Sequence, residues 1–148
     1  MNAVHKILPI DDEPSVQEVV RAYLEREGYL VHVAGNGHDG LALAERMNPS
    51  LIVLDLMLPD VSGEEICAEI RSRSDIPILM LTAKAAEEVS IGWLQLGAND
   101  YLVKSFSPRE LVARVAVVLH RTAGSNAPLV ETLSSTTGRS RSTPSRTP

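Results

Sequence analysis

The residues that end the apolar runs stand out for the chemistry they can do together, above all Asp11, Asp12, Asp55, Thr82 and Lys104. Asp11, Asp12 and Glu13 follow the apolar run Ile7-Leu8-Pro9-Ile10, Asp55 ends Leu51-Ile52-Val53-Leu54, Thr82 ends the run from Ile76 to Leu81, and Lys104 ends Tyr101-Leu102-Val103. Acids held close together repel one another, so a divalent cation is needed to keep them ionised. Oxygen ligands with no His or Cys in the pattern point to Mg²⁺ rather than zinc. A carboxylate beside Mg²⁺ can act as nucleophile toward a phosphoryl group. A threonine hydroxyl can then donate to the phosphate, and a lysine can supply its counter-charge. Acids at strand ends also arise as turn or N-cap residues, which is the plainer reading of each one taken alone.

The elements that must position them follow from periodicity. Short continuous apolar runs, with Leu30-Val31-His32-Val33-Ala34 as a fifth, read as strands buried on both faces. Between them lie helical stripes: Val16, Val19, Val20, Tyr23 and Leu24, ended by Gly28; Leu41, Leu43 and Ala44, ended by Asn48-Pro49; Ile66, Cys67 and Ile70; Ile91, Leu94 and Leu96, ended by Gly97; and Leu111, Val112, Val115, Val118 and Leu119. Ser107, Pro108 and Glu110 form a capping box at the start of the last. Alternating strands and helices predict an α/β fold, a doubly wound five-stranded parallel sheet with five helices and right-handed crossovers. Such sheets gather function at the carboxyl ends of their strands.

Composition narrows the function classes. The 148 residues suit one hydrophobic core. No apolar run reaches membrane-span length, and the start "MNAVHKILPIDDEP" lacks the apolar stretch of a signal peptide. The single Cys67 rules out an intrachain disulfide and suits a reducing cytoplasm. Residues 122–148 hold three of the 14 bases and one of the 19 acids, so the first 121 residues carry 11 bases and 18 acids. An acidic body argues against nucleic-acid binding there. From Thr122 the chain is rich in Ser, Thr, Pro and Arg, and it reads as a disordered tail, 122–148, after a domain spanning 1–121. His5, His32, His38 and His120 lack metal-ligand spacing. Trp93 is open between core and partner-facing surface.

"ILPIDDEP", "LIVLDLMLPDVSG", "ILMLTA" and "LGANDYLVKSFSPRELVARV" together resemble the receiver domain of two-component response regulators, over residues 5–121. The last of these is similar to the OmpR/PhoB-type subfamily. The resemblance implies a flavodoxin-like (CheY-like) strand order 2-1-3-4-5. It implies Asp55 as phosphoacceptor, with Asp12, Asp55 and the Met57 carbonyl as Mg²⁺ ligands and Asp11 helping to position the metal. Thr82 and Lys104 would contact the phosphoryl group, and Tyr101 would turn inward as Thr82 moves, a switch needing a bias of a few kcal/mol. The implied partner is a sensor histidine kinase. The implied homodimer face runs through the fourth helical segment, fifth strand and last helix, with Asp100, Glu110, Arg114 and Arg121 at its salt-bridge positions.

Four places depart from the family pattern. Ser105 replaces the usual proline after the lysine, where the family's peptide bond is cis; cis costs about 0.5–1 kcal/mol before proline and about 2.5–4 kcal/mol otherwise. The cis geometry, with Lys104 aimed at the phosphate, is expected to survive with less margin. Pro9 removes a ladder donor from a strand expected near the sheet centre. Gly92, Ser90, Gln95 and Asn99 are expected to weaken the dimer. No winged-helix domain is legible in residues 127–148, a tail consistent with a truncated or out-of-frame reading of a longer regulator's gene.

The leading expectation is therefore a phosphoryl-accepting switch and not a turnover enzyme. A non-phosphorylating interaction module, marked by Ser105 and Pro9, is the alternative. A flavin- or nucleotide-binding protein is disfavoured because "DDEPS" after the first strand is no phosphate loop.

Overall fold

A computed structural model describes residues 4–83 and 97–125, with side chains up to residue 121. The expected fourth helical segment, with Ser90, Gly92, Trp93 and Gln95, and the tail from residue 126 lie outside the described residues. The described elements run β1 (Lys6–Ile10), α1 (Pro14–Arg26), β2 (Leu30–Val31), α2 (Gly37–Met47), β3 (Leu51–Asp55), α3 (Gly63–Arg73), β4 (Ile78–Thr82), β5 (Asp100–Val103) and α4 (Pro108–Ser125). The strands form one parallel sheet in the order β2-β1-β3-β4-β5. The order matches the expectation drawn from the resemblance.

The chain divides into two compact units, residues 1–116 and 117–148, with the boundary inside α4. The helix continues past residue 121, where the periodicity fades in the sequence. In the second unit Val118 and Leu119 are buried while His120 and Arg121 are exposed. In the first unit every residue of β3 and β4 is buried, as their unbroken apolar runs require. Ile52 and Leu54 of β3 and Ile78 and Met80 of β4 join Leu8 and Ile10 of β1 and Ile66, Cys67 and Ile70 of α3 in one apolar cluster.

Pro9 is accommodated at a specific place. In register it faces Val53 of β3, and that ladder is intact. Its carbonyl accepts from Ala34 N–H at 2.9 Å, so the N–H that proline lacks would face β2. The β2 ladder stops at Val31 and resumes only as a bridge between Ile10 and Ala34. The expected strand Leu30 to Ala34 is thus cut short opposite the missing donor.

Helix ends fix how the chain leaves each strand. Pro14 begins α1 and Gly28, at φ 93°, ends its turn. Asn36 accepts from Asp39 N–H at 2.8 Å to cap α2, and Ser62 with Glu65 makes a full capping box on α3. For α4, Ser107 Oγ accepts from Glu110 N–H at 3.1 Å, the one arm of the expected box found among the described bonds.

The opposite end of the sheet is clamped by Arg71 of α3. Its Nε and Nη2 donate to Gly97 O at 2.9 and 2.8 Å, Nη1 to Ile76 O at 2.7 Å, and Nη2 also to Asn99 Oδ1 at 3.0 Å. Asn99 Oδ1 accepts as well from Ile78 N–H at 2.9 Å. Gly97 sits at φ 108°, and a Cβ there would lie 2.8 Å from Arg71 Nε. Asn99, expected to bear on dimerisation, is here part of a bracket holding β5 beside β4. Arg71→Ala leaves several carbonyls without their charged donor and should cost about 2–3 kcal/mol in urea unfolding. Arg71→Lys should recover only part, because an ammonium cannot fork. A loss within error of zero for Arg71→Ala would contradict the bracket.

Candidate functional site

Parallel strands deliver their carboxyl ends to one rim. Asp55 closes β3 at 1% exposure, Asp11 follows β1 at 2%, and Thr82 closes β4 at 4%. Lys104 follows β5, where its N–H donates to Thr82 O at 2.7 Å. The structure thus brings Asp11, Asp12, Asp55, Thr82 and Lys104 to one edge. The carboxylates of Asp11, Asp12 and Asp55 offer oxygens within 4.8 Å of one another; Asp12 is exposed.

The lysine organises this edge. Lys104 Nζ donates to Asp55 Oδ2 at 3.1 Å and to Glu13 Oε1 at 2.6 Å. It is 3.4 Å from Asp11 Oδ2, within ion-pair reach but without hydrogen-bond geometry. The other oxygen of Asp55, Oδ1, accepts from Met57 N–H at 3.0 Å, which sets the Met57 backbone beside the carboxylate. The Met57 side chain is 71% exposed.

Ser105 does not turn the lysine away. Val103 O accepts from Phe106 N–H at 2.9 Å, closing a turn around Lys104 and Ser105 that leaves the ammonium on Asp55. The two sequence marks of a non-phosphorylating module, Pro9 and Ser105, therefore leave the acidic edge assembled.

Electrostatics follow from burial. Burial pushes the Asp11 carboxyl up, with the hydrogen bond from Glu13 N–H opposing it and the charge of Asp55 adding to it. For Lys104, burial favours the neutral amine, but hydrogen bonds to Glu13 and Asp55 and the charges of Asp11 and Asp55 outweigh it and hold the ammonium above the ordinary lysine range. Asp11 Oδ2 is buried without a hydrogen-bond partner. An orphaned carboxylate oxygen amid oxygen-only donors, with acids outnumbering the one lysine, fits a hard divalent cation.

The remaining expected residues are placed as follows. Tyr101, beside Met80 in register, is half-buried against the apolar cluster. With Phe106, Glu110 and Arg114 it lines a cleft of about 310 Å³. Asp100 Oδ2 accepts from Arg114 Nη1 at 3.0 Å within the chain, so these two expected dimer residues already satisfy each other. Glu110 is exposed, as is Arg121 in the second unit.

Three contributors were not legible as such. Glu13 reads in the sequence only as one acid of a triplet, and its tie to Lys104 spans 91 positions. Gln17 Nε2 donates to Asp11 O at 2.6 Å. Asp60 accepts from Gly37 N–H at 2.8 Å and His38 N–H at 3.0 Å, pinning the loop after Asp55 to the start of α2. Those two bonds hold the exposed Asp60 carboxyl below its usual range. The signal for Asp60 was its place after a proline, a turn position; its partner was not readable.

The chain is similar to known proteins in sequence and fold. The family model described as the response regulator receiver domain matches residues 7–116. Transcriptional regulatory protein ResD of Bacillus subtilis (strain 168) is 46% identical over 116 residues, covering 78% of this chain and 48% of that protein. Transcriptional regulatory protein SrrA of Staphylococcus aureus (strain NCTC 8325 / PS 47) is 43% identical over 118 residues, covering 80% and 49%. The chain spans about half the length of the curated relatives it matches. Among solved structures, a CheY-like response regulator receiver domain protein from Methanospirillum hungatei JF-1 superposes with a TM-score of 0.78 at 30% identity, covering 84% of this chain and 100% of that one. The BeF3-activated N-terminal receiver domain of RstA from Klebsiella pneumoniae gives a TM-score of 0.73 at 33% identity, covering 77% and 97%.

A raised carboxyl is a stability cost that acts above its folded-state pKa and fades as pH falls toward the unfolded value. Asp11→Asn should therefore raise the melting temperature at neutral pH without added metal, and the gain should shrink on acidification toward pH ~4. Saturating Mg²⁺ should narrow the gap, since it stabilises the wild type, with its full donor set, more than the variant. A gain that is constant across this pH range would contradict burial as its cause.

Proposed function

The chain belongs to the response regulator receiver domain family of two-component systems, and on that premise we propose that Asp55 accepts a phosphoryl group from a phosphohistidine of a sensor histidine kinase. The supporting observation is the 3.1 Å contact of Lys104 Nζ with Asp55 Oδ2 beside the buried oxygen of Asp11.

In the transfer, an Asp55 oxygen attacks phosphorus as the P–N bond to the donor imidazole breaks. The imidazole takes a proton from solvent, and Asp55 is left as an acyl phosphate. Water later cleaves the acyl phosphate, releasing inorganic phosphate and restoring the carboxylate. Such a transfer is mostly positioning and charge stabilisation. The N–H of Met57 holds Asp55 Oδ1 and so orients the carboxylate. Lys104 follows the charge onto the phosphoryl oxygens, and Thr82 donates to them. Asp11, Asp12, Asp55 and the Met57 carbonyl would hold Mg²⁺, which when bound supplies charge neutralisation at the phosphoryl oxygens.

The domain catalyses its own phosphorylation and slow dephosphorylation and is not an enzyme acting on a separate substrate. Movement of Thr82 toward the phosphate would let Tyr101 turn inward, changing the cleft it lines with Phe106 and Arg114. ResD and SrrA are named transcriptional regulatory proteins, and a longer form of this chain would couple the same switch to transcription. The proposed place of action is the cytoplasm; among the described residues, no helix is long and apolar enough to cross a membrane. Because Asp100 and Arg114 pair within the chain, we also propose that association through the β5 and α4 face is weak.

Incubation with Mg²⁺ and acetyl phosphate should give one phosphate mass adduct, absent from Asp55→Ala and formed roughly tenfold more slowly in Lys104→Ala. No adduct on the wild type, or an adduct on Asp55→Ala, would overturn the assignment. Light scattering with beryllofluoride and Mg²⁺ should show mainly monomer at micromolar concentration. A tight symmetric dimer would overturn the weak-association proposal.

A further inference from the structure

Glu13 has no part in the phosphoryl chemistry just described, yet it makes the shortest contact to Lys104. It is the last residue before α1, extended at φ −94° and ψ 116°, and its side chain makes no helix-cap hydrogen bond. Its backbone is fixed from both sides. Glu13 N–H donates to Asp11 Oδ1 at 2.9 Å, Glu13 O accepts from Gln17 N–H at 3.0 Å, and Gln17 Nε2 donates back to Asp11 O at 2.6 Å. The carboxylate is thereby left for Lys104, at 2.6 Å, with the two side chains 55% and 19% exposed. This bond joins the β1–α1 turn to the β5–α4 turn across the acidic edge.

We propose that Glu13 is a positioning residue that holds Lys104 in the unphosphorylated state and so sets the threshold for phosphorylation. This rests on the reading of Asp55 as acceptor. An ammonium has three N–H donors; here one goes to Glu13 and one to Asp55. Phosphorylation replaces the single charge of the Asp55 carboxylate with about two on the phosphoryl group and adds acceptor oxygens there. The ammonium is drawn toward them and away from Glu13. A contact stronger before phosphorylation than after it opposes phosphorylation by the difference. The contact is partly exposed, so its effect is that of a surface ion pair and not of a buried one.

The test compares wild type, Glu13→Gln, Lys104→Ala and the double variant, each with Mg²⁺ and acetyl phosphate. Glu13→Gln should lower the half-saturating acetyl phosphate concentration about two- to fivefold with the maximal rate unchanged. In the Lys104→Ala background the same substitution should do nothing. An unchanged half-saturation, or an effect that persists without Lys104 (simple repulsion of the anionic donor by Glu13), would overturn the proposal. Hydrogen exchange, measured without donor or metal, separates this from failure of the acceptor reading. The amides of Lys104 and Phe106, which donate to Thr82 O and Val103 O, should exchange several-fold faster in Glu13→Gln, while the Asp39 amide of the α2 cap stays as it was. If the wild type takes no phosphate, the acceptor reading fails, and equal exchange in the two proteins would independently dismiss Glu13 as a tether.

Discussion

One ammonium group carries most of the electrostatic burden of this fold. Asp55 is 1% exposed, and its described contacts are the Met57 N–H and Lys104. A buried carboxylate without a counter-charge is among the costliest things a small domain can contain. Lys104 supplies that charge while also facing Asp11 and Glu13. Its position is set by backbone: β5 ends beside β4, and the Lys104 N–H is bonded to Thr82 O. The strand order is what lets residues so far apart in sequence meet. The edge is therefore assembled but strained in charge, with Asp11 Oδ2 left without a hydrogen bond and only an ion pair to Lys104. That imbalance suits the proposed gain of a cation and a phosphoryl group.

The rest of the first unit serves this edge from below and beside. The Arg71 bracket sets β5 against β4 at the far end of the sheet, which fixes where Lys104 emerges. Asp60 ties the loop after Asp55 to α2, and Gly63 allows α3 to begin against that loop: a Cβ there would lie 2.9 Å from Leu56 Cα. The segment carrying Asp55 and Met57 is thus held at both sides, which keeps the Asp55 carboxylate oriented without constraining the exposed Met57 side chain.

How much of this was legible depends on the range of the interaction. Unbroken runs such as Leu51 to Leu54 declare a buried parallel strand, and a functional residue at the end of such a run has few other places to go. Asp11, Asp55, Thr82 and Lys104 were readable for that reason. Pro9 was readable as a defect but not as the cause of a short β2, because the side it faces depends on pairing. β4 begins at Ile78 and not at Ile76: Ile76 O accepts from Arg71 in the bracket, and Pro77 O accepts from Ile52 N–H of β3 at 2.9 Å just before the strand. Glu13, Asp60, Arg71 and Asn99 each act through a partner distant in sequence, and no local pattern names that partner. The pairing of Asp100 with Arg114 inside the chain was hidden in the same way, since the same charges read equally well as an interface.

The central claim is that Asp55 becomes an acyl phosphate. Phosphorus NMR of the protein with Mg²⁺ and acetyl phosphate, before and after hydroxylamine, tests it most directly. The account predicts a protein-bound phosphate resonance that hydroxylamine removes, as it does for a carboxyl–phosphate anhydride. A bound phosphate that resists hydroxylamine, or no bound resonance at all, would contradict it.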